Sequence, residues 1–93
     1  MSNYTASNHG AAQGALRAEF WSLPPDAYAS REMVAAAYFL LPASLEAYAI
    51  RGGGPKYMRI NRRALYCKRD VLDWAKATGR TVESTAQLDQ AEK

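Results

Sequence analysis

Proline and glycine interrupt this chain at three places, Pro24-Pro25, Pro42 and Gly52-Gly53-Gly54-Pro55, and no regular element between these breaks can be long. Proline has no amide donor and pushes the residue before it out of the helical region. The glycine run frees the backbone to turn sharply. A chain of 93 residues divided in this way builds one small domain from a few short helices and a hairpin. Its hydrophobic fraction of 48% is ordinary, although alanine supplies much of it. No apolar run approaches the roughly 20 residues of a membrane span. The start, Met1 to Gly10, lacks the basic-then-apolar order of a signal peptide. Cys67 is the only cysteine, so an internal disulfide is impossible and a reducing, cytoplasmic setting is expected.

The breaks suggest three regions. Residues 1–14 are small, polar and aperiodic and are expected to be disordered. Residues 15–79 form the domain, with its core in 28–77, and residues 80–93 form a flexible tail. Leu16, Phe20 and Leu23 are spaced i, i+4, i+7 with Trp21 beside them, which marks a short amphipathic helix or turn. It either packs on the domain's own core or offers Leu16, Phe20 and Trp21 to a neighbouring protomer. Ser30 can cap the next helix, and Met33, Val34, Ala37, Leu40 and Leu41 give that helix a core-facing stripe. Pro42 ends it and is well placed to start a second helix with Leu45, Tyr48 and Ala49 buried. A third helix is expected from Arg69 to Thr78, with Asp70 near its positive end, an apolar side of Val71, Leu72, Trp74 and Ala75, and Gly79 as terminator.

Charge is distributed unevenly over this frame. Arg51, Lys56, Arg59, Arg62, Arg63, Lys68 and Arg69 fall within nineteen residues that contain no acid, while the rest of the chain is net acidic. Tyr57, Met58, Ile60, Leu65 and Tyr66 interleave with the cations, so the segment reads as a folded basic ribbon suited to phosphate. Tyr57 to Tyr66 has the pattern of a β-hairpin. A three-residue loop, Asn61-Arg62-Arg63, would place Ile60 opposite Ala64 and Met58 opposite Tyr66 on one apolar face. Arg62 and Arg63 would then sit at the tip, and Arg59 would project away from the core.

The run from Arg51 through Gly-Pro55, Ile60, Asn61-Arg62-Arg63 and Tyr66 to Asp70-Val-Leu-Asp-Trp74 resembles the MerR-like winged-helix module of excisionases and related mobile-element regulators. The resemblance covers about residues 28–77 and implies a mainly α fold with a small β-hairpin, a winged helix-turn-helix. Val71 stands where the pattern has leucine, and Tyr48 where the second helix usually carries tryptophan. That helix also has no basic residue before Arg51, so direct base readout by it is expected to be thin. The resemblance implies double-stranded DNA as partner, self-association on DNA and a tyrosine integrase as a further partner. The implied role is that of a recombination directionality factor, and a transcriptional regulator on the same fold is the alternative. The expected DNA-binding residues are Ser44, Arg51, Lys56, Tyr57, Arg59, Asn61, Arg62, Arg63, Lys68 and Arg69. A third reading, from another class, is a protein-interaction module using the Trp21 patch.

Chemistry has little to work with. His9 is the only histidine and lies in the segment expected to be disordered, so neither a catalytic triad nor an imidazole ligand set can be assembled. No enzyme activity, metal, cofactor, small-molecule ligand or membrane partner is expected. The glycine run lacks the pattern of a phosphate-binding loop, since Pro55 and Lys56 follow it and a helix precedes it. Cys67 reads as a filler at the strand-to-helix junction.

Overall fold

The computed structural model describes residues 2–80 and 82, with side chains from residue 10 onward. Four helices, α1 (Ser2–Ser22), α2 (Arg31–Ala37), α3 (Pro42–Arg51) and α4 (Lys68–Thr78), surround a sheet of β1 (Tyr28–Ser30), β2 (Met58–Ile60) and β3 (Arg63–Cys67). The sheet is antiparallel in the order β1-β3-β2. The chain is thus mainly helical with a small sheet. Among the described residues no single helix is long and apolar enough to cross a membrane.

Each proline break does what its chemistry requires. Pro24 and Pro25 follow α1, and Pro42 occupies the first turn of α3. Ser30 caps α2, its Oγ accepting from the Met33 amide at 3.1 Å. α2 lasts only seven residues and ends at Ala37. Its end is a Schellman motif: the Leu40 amide donates to Ala35 O at 2.8 Å and the Phe39 amide to Ala36 O at 3.3 Å. Phe39 therefore occupies the left-handed position usually given to glycine, with φ +58°, at a steric cost of about 1–2 kcal/mol. The Arg17 guanidinium covers its ring 3.9 Å from the centroid, while the same residue's Nε donates to Ala36 O at 2.8 Å. The α2–α3 turn redirects the helix axis by 111°.

The core is built from Phe20, Ala29, Val34, Ala35, Ala37, Leu45, Tyr66 and Val71, three of them from α2 and one from each other element except β2. Three consecutive alanines make α2 slim, so α1 packs closely against it. Phe20 is fully buried. It is a core residue, and the expectation that it contacts a protomer is corrected accordingly. Trp21 stays 45% exposed, edge-on to both Phe20 and Tyr38. Burial pushes the Tyr38 phenol above its usual pKa.

Three local expectations are corrected. α1 begins at Ser2, so residues through Gly14, expected to be disordered, belong to a helix in which alanine's propensity outweighs the two glycines. Leu41 is 68% exposed, because α2 stops before the apolar stripe reaches it. β1 is an unforeseen strand, too short to leave a periodic signal, and it pairs Ala29 with Tyr66. The expected tail falls largely on residues 81 and 83–93, outside the described residues.

Candidate nucleic-acid interface

The hairpin closes differently from the expected register. Met58 pairs with Leu65, Arg59 with Ala64 and Ile60 with Arg63, leaving a two-residue turn of Asn61 and Arg62. Asn61 alone has positive φ, +58°, the sign pattern of a type II′ turn. That turn matches strand twist, and the one-residue difference exchanges the faces. Residues paired across an antiparallel ladder share a face, so Arg59 lies on the side of Ala64 and the buried Tyr66. The expectation that Arg59 projects from the opposite face is thereby corrected. Met58, Ile60, Arg63 and Leu65 take the outer face, and Ile60 is 49% exposed there. The core accepts this because Tyr66, not the Met58–Ile60 pair, fills the space over α2.

The seven cations divide into two groups. Lys68 is buried, its Nζ donating to Trp21 O at 3.0 Å and Leu23 O at 2.6 Å, just where α1 ends. The ammonium also lies 5.6 Å from the Phe20 ring centroid and 5.5 Å from that of Trp21. The carbonyl end of a helix carries partial negative charge, so Lys68 acts as a C-terminal clamp on α1. Arg69 forms an ion pair with Asp26, which pushes the Arg69 pKa further up through its hydrogen bond and its charge. Both residues were expected at the phosphate surface, and both are corrected: their charges are engaged in holding α4 to the 21–26 segment.

The other five, Arg51, Lys56, Arg59, Arg62 and Arg63, are exposed and form no ion pair with any described residue. Two contacts position them. Trp74 of α4 donates its indole N–H to Gly53 O at 2.7 Å, and its ring lies edge-on to Tyr48. A Cβ on Gly54 would come within 2.7 Å of the Tyr48 Cβ, so only glycine lets the connector lie this close to α3. The result is a fixed path from Arg51 to the hairpin.

The turn also approaches the start of α2. Ser30, Arg31, Glu32, Arg62, Arg63 and Ala64 line a cleft of about 190 Å³. Arg31 was not anticipated at this site. Its Nε donates to the Tyr66 hydroxyl at 3.0 Å, and its Nη2 is enclosed without a hydrogen-bond partner among the described residues. No local pattern could have revealed Arg31, because the pairing of β1 with β3 brings it to the hairpin. Tyr57 stacks obliquely on Tyr66 at 5.6 Å and is 38% exposed, while Asn61 is exposed in the turn. Ser44 is half-buried in the first turn of α3, well before Arg51 at its end. Cys67 is a free thiol whose Sγ lies 3.4 Å from Pro25 O, at the junction of β3 and α4. Among the described residues no three His, Cys, Asp or Glu side chains gather as a metal-ligand group.

No protein-family model matches the chain, and no curated protein matches it either.

Proposed function

We propose that this chain is a duplex-DNA-binding protein of the winged helix-turn-helix type, acting as an architectural factor similar in role to the excisionases. The observation that carries this reading is the set of five exposed cations, without an ion-pair partner among the described residues, on the end of α3, the connector and the hairpin. In this reading α2 and α3 are the helix-turn-helix and β2–β3 is the wing. Arg59 and Arg63 lie on opposite faces of the hairpin with Arg62 at its turn. A tip charged on both sides suits a groove flanked by two phosphate strands. The reading helix, α3, carries no cation before Arg51, which favours backbone and shape recognition over sharp base readout. A single domain of this size covers on the order of 600–1,000 Å² of DNA, so useful occupancy calls for several protomers side by side. The resemblance of residues 28–77 to the excisionase module directs this chemistry toward attachment-site DNA and an integrase.

The test is a titration of a labelled duplex with the full chain across salt concentrations. Five phosphate contacts give a log–log slope of about −4.5, or about a 500-fold loss of affinity between 50 and 200 mM salt. A slope near zero, or no binding at low salt, would remove the DNA reading and leave the exposed Trp21 region as the surface to pursue.

A further inference from the structure

The exposed side of α3 has an unusual composition for a helix that meets DNA. Ala43, Glu46, Ile50 and Arg51 are exposed, and Ala47 is partly so. Their spacing puts them on one stripe, with Ala43, Ala47 and Arg51 following at i, i+4, i+8 and Glu46 and Ile50 alongside. Leu41 is 68% and Ile50 80% exposed, so neither side chain is spent on the domain's own core. The stripe holds no Arg, Lys, Asn or Gln before its last residue, so it has no donor for the acceptor edge of guanine. The Glu46 carboxylate can accept from the exocyclic amine of either cytosine or adenine, so it does not choose between the two pairs.

An A·T pair is the complementary surface. In the major groove only this pair carries the thymine 5-methyl group, an apolar contact that a G·C pair lacks. Alanine at positions 43 and 47 lets the helix backbone approach closely, and Ile50 supplies an apolar chain that can meet the methyl group. Arg51 ends the same stripe with a positive charge suited to the flanking phosphate, and before it the face is small and apolar apart from Glu46. Resting on the DNA reading given above, we infer that α3 recognises A·T-rich duplex through thymine 5-methyl groups, with Ile50 as its principal contact.

Deoxyuridine separates this inference from every other source of A·T preference. It lacks only the 5-methyl group, and its minor-groove edge is the same as that of thymine. The experiment compares the full chain on alternating dA-dT copolymer, on the same copolymer built with dU, and on alternating dG-dC copolymer, each at two salt concentrations. The dA-dT duplex offers a methyl at every base pair, so no knowledge of the target site is required. The expected result is binding to the dU copolymer that is weaker by about fourfold for each methyl group α3 would otherwise touch, with an unchanged salt slope. Ile50→Ser should shrink that difference while leaving the circular-dichroism spectrum unchanged, since the side chain is exposed. Equal, salt-sensitive affinity for the dT and dU copolymers would overturn methyl recognition and leave DNA binding standing. A dT preference undiminished in Ile50→Ser would overturn the assignment to α3. Absence of salt-sensitive binding to all three duplexes would overturn the DNA reading itself.

Discussion

Arg62–Arg63 and Lys68–Arg69 belong to one acid-free run and are separated only by Ala64, Leu65, Tyr66 and Cys67, yet they meet opposite surroundings. The first pair is exposed at the hairpin turn and has no anionic partner among the described residues. In the second, Lys68 closes the carbonyl end of α1 and Arg69 pairs with Asp26. The difference teaches that a positive charge becomes a binding feature only once its neighbours are known. The partners of Lys68 are neutral backbone carbonyls with partial negative charge, which no residue letter announces.

The strongest way to break this comparison is Lys68→Met, which keeps much of the volume but leaves the Trp21 and Leu23 carbonyls without their donor. It should lower stability by about 3 kcal/mol in urea unfolding, the loss of two charge-assisted bonds. The duplex affinity of the folded protein should stay at the wild-type value. A stable Lys68→Met protein with weakened DNA binding would reverse the assignment.

The complementary change, Arg62→Ala with Arg63→Ala, should leave stability within about 0.5 kcal/mol, as expected of exposed positions. It should weaken duplex binding about thirtyfold near physiological salt and reduce the salt slope by about two. Unaltered affinity and slope would mean that the hairpin tip faces something other than phosphate.

A smaller effect sharpens the comparison by testing what connects the two pairs. Trp74→Phe removes the indole donor to Gly53 O while retaining an aromatic ring against Tyr48. A loss of about 1 kcal/mol in stability is expected, together with a two- to threefold loss in duplex affinity as the connector loosens. If unfolding and binding are both unchanged, the connector is positioned by the glycines and Pro55 alone.

Much of the helical frame was legible because its signals are local. Ser30 as a cap, Pro42 in the first turn of α3, the buried face of Leu45 and Tyr48, and Gly79 after α4 each follow from chemistry within one or two turns. The hairpin's existence was equally legible, and its register was not. The expected three-residue loop assumed that Met58 and Ile60 share the core-covering face with Ala64 and Tyr66. Instead Tyr66, anchored by Ala29 across the ladder and by Arg31 at its hydroxyl, takes that place. Of the ten residues expected at the interface, Lys68 and Arg69 left it because their partners lie more than forty residues away.

By itself the sequence determined where α2 and α3 start, where α4 stops, and that a basic hairpin follows the glycine run. These depend on backbone restrictions and composition, which act over a few residues. Only the tertiary structure decided which side of the hairpin meets the core, which cations remain unengaged, and that Arg31 joins the turn. Those outcomes depend on contacts between segments far apart in the chain, where burial and backbone carbonyls compete with solvent for the same side chains.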